Sequence, residues 1–242
     1  AGEYQPGWML LSYGKKVSVS SSLEGYPAEN IVDEDARTAW VAQSNRDMEW
    51  AQVDLQRLSS IHAIQVNFDE YGANQKGAVS GVYQSYLIYA SVNGEDWSLV
   101  VDYGTKKTDT PHDYIEFEEP FKARYIKLQN KEYTVSENFS VRDLRIFGKG
   151  QGSTPRAVND FTVERDEADP CKARLCWEAV PDAQGYIVRY GIAGDKLYNN
   201  FQVMGENTLE IGSLNKGVAY YFTIDAYNEN GITRTSRIKV CR

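Results

Sequence analysis

The chain has 242 residues, of which 42% are hydrophobic and 25% charged, an ordinary composition for folded globular domains. At about 100–200 residues per domain, this length predicts one or two domains. The formal net charge of −8 argues against nucleic acid and anionic membranes as main partners. No apolar run reaches the ~20 residues of a membrane span, so membrane insertion is not expected. Aromatic residues are abundant at 12%, with 17 Tyr and 5 Trp.

Catalytic signatures are absent from the sequence. The two histidines, His62 and His112, are too far apart for a metalloprotease-type zinc motif. Neither a nucleophile elbow, a phosphate-binding loop nor a dinucleotide-binding glycine motif occurs. Carboxylate pairs for glycoside hydrolysis could exist among 34 acidic residues, but no pattern supports them. The sequence predicts that this chain is not an enzyme.

After an N-terminal extension at residues 1–13, the segment 14–148 has a β pattern. Apolar Ile64, Val66 and Phe68 alternate with polar residues, which is the period of a half-buried strand. The Asn93-Gly94 pair between two runs predicts a hairpin. No sustained helical period appears, and several short strands favour a sandwich. The other predicted strands are at residues 86–92, 97–103, 114–117, 124–128 and 141–147.

Residues 149–155, rich in Gly and Ser and ending in Pro155, predict a linker between two domains. The first 150 residues hold 15 basic and 22 acidic residues, and the remainder 11 and 12, so the acidity lies in the first part. Residues 156–242 contain seven strand-like runs, the number expected for an immunoglobulin-like sandwich. These runs are residues 161–164, 173–177, 185–190, 200–203, 208–211, 219–227 and 233–240.

Five ordered stretches of the first domain resemble a discoidin domain, also called a coagulation factor type C domain, and the family 32 carbohydrate-binding modules within it. The fold implied is a jelly-roll β-sandwich of the galactose-binding-like type. The stretches are AENIVDEDARTAW at 28–40, EWAQVDL at 49–55, SVNGEDW at 91–97, ARYIKL at 123–128 and VRDLRIFG at 141–148.

The second domain resembles a fibronectin type III domain through LCW at 175–177, GY at 185–186 and LNKGVAY at 214–220. Tyr220 matches the tyrosine corner of such sandwiches. The order of the two domains resembles the C-terminal accessory region of bacterial family 43 glycoside hydrolases. This resemblance implies an exported, monomeric segment of a longer protein, linked to an upstream catalytic domain that is absent here.

Asp33, Glu34 and Asp35 lie in one turn that ends at Thr38. Clustered oxygens suit a hard cation, although a run of charges is more often a solvated surface turn. The discoidin resemblance implies a structural Ca²⁺ there. Its ligands would be the Asn30 carbonyl, the Asp33 carboxylate, the Asp35 carbonyl, the Thr38 carbonyl and hydroxyl, the Arg142 carbonyl and the Asp143 carboxylate. Asp143 replaces a frequent Glu and is shorter by one methylene, which predicts a weaker site or binding through a water molecule.

A sugar-binding surface needs aromatic faces and planar polar groups. The four tryptophans in family motifs, Trp40, Trp50, Trp97 and Trp177, are expected in the sandwich cores. The better candidates lie in loops, including the long stretch 69–84, although ordinary loop residues without a ligand are the alternative. The galactose-binding residue set of some relatives is not reproduced. The candidates are Arg46, Tyr71, Asn74, Gln75, Tyr83, Tyr133, Asn138 and Phe139.

The three cysteines leave several arrangements open. Cys171 and Cys241 come close together if the second domain is a fibronectin type III sandwich, Cys171 and Cys176 compete, and all three can stay free. Asn138, Phe139 and Ser140 form a glycosylation sequon, which a bacterial source would leave unused.

The sequence therefore predicts a non-catalytic region that targets an exported enzyme to a plant or host polysaccharide. The alternative is an adhesion or protein–protein interaction module without sugar binding. A membrane-binding discoidin domain is disfavoured by the acidity of the first domain.

Overall fold

The computed structural model describes residues 7–73 and 81–242, which divide into two compact units, Ala1–Gln151 and Gly152–Arg242. Among the described residues, no helix is long and apolar enough to cross a membrane.

The described residues of unit 1 form eight strands and one short 3₁₀ helix, Ala28–Val32. The 3₁₀ helix was not predicted, because five residues are too few to show a helical period. The strands are β1 (Met9–Leu10), β2 (Lys16–Val19), β3 (Trp40–Val41), β4 (Trp50–Phe68), β5 (Gln84–Ser91), β6 (Ser98–Tyr103), β7 (His112–Tyr133) and β8 (Ser140–Gly150).

The long strands β4 and β7 create the sandwich, because each contributes to both layers. Residues 50–54 of β4 pair with β2 and with the second half of β7. After a register shift between Asp54 and Ser59, β4 continues against the first half of β7 and against β8. Gln56 takes a φ of 66° within this irregularity. The separate runs predicted at 114–117 and 124–128 are therefore parts of one strand.

The predicted hairpin at Asn93-Gly94 connects β5 and β6, which pair antiparallel. The Asn93 side-chain oxygen accepts the backbone N–H groups of Glu95 and Asp96, both at 2.9 Å. Gly94 has a φ of 83°, which a residue with a Cβ adopts only with strain. The local sequence therefore specifies this turn.

Five buried aromatic side chains fill the interior of unit 1, and we call them the inner cluster: Trp40, Phe68, Tyr86, Tyr133 and Phe139. The Phe68 ring centre lies 5.3 Å from that of Tyr86, 6.1 Å from Tyr133 and 6.0 Å from Phe139. Trp40 meets Phe139 edge to face at 5.8 Å. Such tilted and edge-to-face pairs add to the free energy gained by apolar burial.

Two of the four motif tryptophans predicted to be core residues are buried, and the other two are not. Trp40 and Trp177 are 0% and 5% exposed. Trp50 and Trp97 are only partly buried, because Trp50 occupies a strand position that points away from the interior and Trp97 lies in the β5–β6 connection.

Unit 2 contains eight strands in two sheets. The strands are β9 (Phe161–Arg165), β10 (Ala173–Trp177), β11 (Gly185–Gly191), β12 (Asn199–Met204), β13 (Thr208–Ile211), β14 (Tyr220–Asn228), β15 (Gly231–Thr233) and β16 (Lys239–Cys241). One sheet has the order β13-β10-β9 and the other the order β12-β11-β14-β15, where β16 also pairs with β14. The last predicted run is therefore two strands, β15 and β16.

The core of unit 2 lies between its two sheets and includes Leu175, Trp177, Val188 and Phe222. The Tyr220 hydroxyl accepts the backbone N–H of Asn215 at 3.2 Å, the upstream contact expected of a tyrosine corner. Cys171, Cys176 and Cys241 are all free thiols.

Candidate functional site

Loops at one end of unit 1 enclose a cleft of about 180 Å³. Strand β4 ends there at Phe68 and β5 begins there at Gln84, so the two strands fix the cleft's position. Three carboxylates and one amide share its wall with apolar groups. The lining residues are Phe68, Asp69, Glu70, Ala73, Val82, Gln84, Asp109, Pro111 and Val135.

The polar groups of the cleft are held in place by their neighbours. Arg142 donates to the Asp69 carboxylate at 2.5 Å. Gln84 is buried, donates to Asp109 at 3.0 Å and accepts the Thr110 backbone N–H at 2.8 Å. These bonds orient the Asp69, Gln84 and Asp109 side chains before any ligand binds, which lowers the entropy cost of binding.

Glu70 differs from the other cleft carboxylates, since no side chain in the described part of the chain pairs with it. Its oxygens can therefore accept hydrogen bonds from ligand hydroxyls. The site residues predicted from the sequence did not include Asp69, Glu70, Gln84 and Asp109. The available signal was the Asp69-Glu70 pair directly after the alternating run that ends at Phe68, where a strand gives way to a loop.

Two of the predicted loop aromatics are partly exposed. The Tyr71 ring meets Tyr26 edge to face at 4.9 Å, and Tyr71 follows the cleft residue Glu70 directly. The Tyr83 ring is covered by the Lys107 ammonium, 4.3 Å from its centre, and the Tyr83 hydroxyl donates to Glu132 at 2.5 Å. Tyr71 is the better placed of the two rings for a ligand, because it directly follows a cleft residue, whereas the Tyr83 hydroxyl is already bonded to Glu132 and Lys107.

Arg46 is exposed on a neighbouring loop. Asn130 fixes this loop, because its side-chain amide donates to the carbonyls of Asn45 and Arg46 at 2.8 and 2.9 Å. Asn45 in turn donates to the Ser136 carbonyl at 2.8 Å. The loop backbone is thus rigidly connected to β7, while the Arg46 guanidinium has no hydrogen-bond partner within residues 7–73 and 81–242.

The expectation that Tyr133 and Phe139 face a sugar is corrected by the structure. Their side chains are 2% and 1% exposed and belong to the inner cluster. Burial also raises the pKa of the Tyr133 hydroxyl well above its usual range. A ring enclosed in this way has no free face for a ligand. The Tyr133 hydroxyl lies 3.2 Å from the Ser140 hydroxyl at the start of β8, and Phe139 directly precedes that strand.

Asn138 also has a structural role, since its side-chain amide donates to the Ala42 carbonyl at 2.9 Å. That bond occupies the nitrogen that glycosylation of the sequon would use. Asn74 and Gln75, the remaining sugar-binding candidates, lie outside the described residues.

The acidic loop predicted to hold calcium gathers three of the expected ligand atoms. The Thr38 hydroxyl donates to the Asp33 carboxylate at 2.8 Å and lies 3.0 Å from the Asp35 carbonyl. Asn30 donates its amide to the Ala39 carbonyl at 2.8 Å, which ties the two ends of the loop together. Oxygens this close suit a hard cation, so the residues present fit the predicted calcium.

Other side chains near this loop are committed to different partners. Arg37 forms two bonds with the Asp35 carboxylate and lowers its pKa to about 2. Asn67 donates to the buried Asp143 carboxylate at 2.8 Å, and the Arg142 side chain pairs with Asp69. In the described part of the chain, no three His, Cys, Asp or Glu side chains form a metal-binding group. A calcium here would therefore need carbonyl and hydroxyl oxygens in addition to its carboxylate ligands.

Comparison with known proteins matches residues 16–144, just over half of the chain, to the F5/8 type C domain. Lactadherin of Rattus norvegicus is 33% identical over 110 residues, which are 43% of this chain and 25% of that protein. The chain thus matches about a quarter of the length of this relative.

Among solved structures, chitosan-binding module 1 of a chitosanase/glucanase from Paenibacillus sp. IK-5 has a TM-score of 0.49 at 20% identity, covering 58% of this chain and 99% of that one. The family 32 module of NanJ from C. perfringens, solved in complex with galactose, has a TM-score of 0.47 at 17% identity, covering 58% and 98%. From the sequence match over residues 16–144, the chain belongs to the F5/8 type C domain family.

Proposed function

We propose that unit 1 binds carbohydrate in the cleft beside Tyr71, as the non-catalytic accessory region of an exported polysaccharide-degrading enzyme. The observation that carries this proposal is the cleft lined by Asp69, Glu70, Gln84 and Asp109. Carboxylate and amide groups form paired hydrogen bonds with adjacent sugar hydroxyls, and a neighbouring aromatic ring packs against the C–H face of a pyranose.

The chain's own residues would bind and orient the sugar without chemical change. Arg142 and Gln84 hold the cleft groups in position, and Glu70 accepts sugar hydroxyls. A cleft of about 180 Å³ is smaller than the roughly 300–1,000 Å³ usual for ligand pockets, which predicts weak affinity. Weak binding still concentrates a linked catalytic domain on its polymer through effective concentration.

A structural calcium ion in the 33–38 loop is part of this proposal. The Asp33 carboxylate, the Asp35 carbonyl and the Thr38 hydroxyl would hold it, together with the Asn30, Thr38 and Arg142 carbonyls and the Asp143 carboxylate. The cation would supply charge neutralisation and cross-linking of the loop, with no role in a reaction.

We also propose that unit 2 is a fibronectin type III domain and serves as a spacer. The two-sheet arrangement and the hydroxyl contact of Tyr220 support this assignment. A family 43 glycoside hydrolase is the proposed parent, monomeric and exported, with its catalytic domain upstream. This part of the proposal is based on the order of the two modules in the sequence.

The test is binding of the 242-residue chain to a glycan array, followed by calorimetry with the best neutral oligosaccharide. Tyr71→Ala or Glu70→Gln should weaken binding roughly tenfold, the loss of about 1.4 kcal/mol, because each removes one contact without opening the core. Tyr13→Ala is the matched control, since Tyr13 is 40% exposed in the same unit. Absence of glycan binding would favour the adhesion alternative, and a sugar bound to unit 2 would refute the cleft.

A further inference from the structure

A second aromatic group lies on the outer surface of unit 1, and we call it the outer-face cluster: Trp50, Trp97, Tyr125 and Lys127. Buried Ala51, Val53, Ile126 and Leu128 alternate with its strand residues, so the cluster points away from the interior. Register places Gln52 opposite Lys127 and Asp54 opposite Tyr125 across β4 and β7.

The β5–β6 connection folds over this face and brings Trp97 to it. The Trp97 ring centre is 6.5 Å from that of Tyr125, at an interplanar angle of 63°. The connection packs closely on the Tyr125 ring, since a Cβ added at Gly94 would lie 3.4 Å from that ring. Partly exposed Leu87 and Tyr89 of β5 extend the face, with Leu99 of β6 opposite Tyr89 and 47% exposed.

Lys127 lies between the two tryptophans. Its Nζ is 3.8 Å from the centre of the Trp97 ring and 5.4 Å from that of Trp50. No carboxylate in the described ranges forms an ion pair with this ammonium. Burial among the rings lowers the pKa of Lys127, as expected for a cation that has lost water without gaining an anion.

The β5–β6 strands and their connection carry exposed carboxylates at the border of this face, at Glu95, Asp96 and Asp102. The strand segments 16–19, 50–54 and 124–129 carry three cations, Lys16, Arg124 and Lys127, against one carboxylate. That carboxylate, Asp54, is already committed to Arg124 through bonds of 2.8 and 3.0 Å. Arg124 is already neutralised by Asp54, so Lys127 is the cation between the aromatic rings that is available to pair with an external anion.

We propose that the outer-face cluster is a second binding site, which takes an acidic sugar such as a uronic acid unit of a polysaccharide. The Lys127 ammonium matches the sugar carboxylate, and the exposed parts of the aromatic rings around it match the C–H face of the pyranose. The site is distant from the cleft along β7. Tyr133 lies opposite the cleft residue Gln84, and the six residues from Lys127 to Tyr133, at about 3.3 Å each, span roughly 20 Å. One domain could then contact a polymer at two places.

The experiment measures binding of the 242-residue chain to polygalacturonate and to its methyl-esterified form by affinity electrophoresis and calorimetry. We expect binding to the free acid and weaker binding to the ester, which has the same backbone without the charge. Trp97→Ala and Lys127→Met should each weaken polygalacturonate binding roughly tenfold. Lys122→Met is the matched control, because Lys122 is an exposed lysine on the same strand.

Tyr71→Ala separates this site from the cleft, since it should leave polygalacturonate binding unchanged while reducing binding of a neutral glycan. If Trp97→Ala lowers Tm so far that the variant does not fold, Lys127→Met still tests the proposal, because it removes only the charge. The proposal is overturned if Lys122→Met weakens binding as much as Lys127→Met, or if both outer-face variants bind like the parent. It is also overturned if phosphatidylserine vesicles bind this face and polygalacturonate does not.

Discussion

The inner cluster and the outer-face cluster of unit 1 use the same kinds of side chain for opposite purposes. In the inner cluster, every ring is at most 3% exposed. In the outer-face cluster, the rings are partly exposed and surround a lysine without a carboxylate partner in the described residues. The type of an aromatic residue in a family motif therefore does not indicate whether its side chain lies in the core or on the surface. Strand register decides, because successive positions point to opposite faces.

Single alanine substitutions should separate the two clusters most clearly. Phe139→Ala removes a ring with 1% exposure and should reduce the free energy of unfolding by about 3–5 kcal/mol, since the cavity cannot collapse fully. Trp97→Ala should cost only about 1 kcal/mol, because part of the ring is already in water. Urea denaturation of both variants tests this difference. Equal losses would show that the outer-face cluster is as important to folding as the inner one.

Calcium should stabilise the side of unit 1 that carries the inner cluster, because the 33–38 loop leads directly to Trp40. At a calcium concentration 100-fold above Kd, the gain is about 2.7 kcal/mol, and a chelator should lower Tm accordingly. Asp33→Asn is the control, and its Tm should not respond to calcium. A parent Tm that is the same in chelator and in excess calcium would contradict the proposed ion.

Alkaline pH should destabilise the inner cluster through its two tyrosines. Burial raises the pKa of Tyr86 and of Tyr133, and the Tyr86 hydroxyl also donates to Asp113 at 2.8 Å. Because a phenol in the unfolded chain ionises near pH 10, this contribution is complete below about pH 10 and declines as the pH rises further.

At about one pH unit above 10, each buried phenol should cost about 1.4 kcal/mol. Urea denaturation between pH 8 and pH 11 measures this loss. Tyr133→Phe should reduce the slope of stability against pH, whereas Tyr13→Phe should leave it unchanged. A parent protein whose stability is constant to pH 11 would show that these hydroxyls reach water.

Much of the fold follows from local sequence signals. Alternation at 64–68, the Asn93-Gly94 turn and the strand runs of unit 2 were all recognisable, because strand period and turn chemistry act over a few residues. The length of β4 and β7 was not predictable in this way. Both strands contain an irregularity that interrupts the alternation, and only pairing with distant strands shows that each continues through it.

The candidate site was less predictable than the fold. The sequence indicated the loops, and Tyr71 is partly exposed beside the cleft. The sequence did not reveal the burial of Tyr133 and Phe139, because it depends on packing against Phe68, which is distant in sequence. The cleft carboxylates were missed because Asp109 is 39 positions from Glu70 in sequence, and folding alone brings them to one wall.

By itself, the sequence determined an acidic, aromatic-rich chain of two β units, with a turn-specified hairpin and a motif set typical of discoidin domains. The tertiary structure decided which aromatic residues are enclosed and which meet water. It also placed Lys127 between two tryptophans that are 47 positions apart. The physical reason is that hydrophobic pattern and turns act locally, whereas exposure depends on which distant strands pair and in which register.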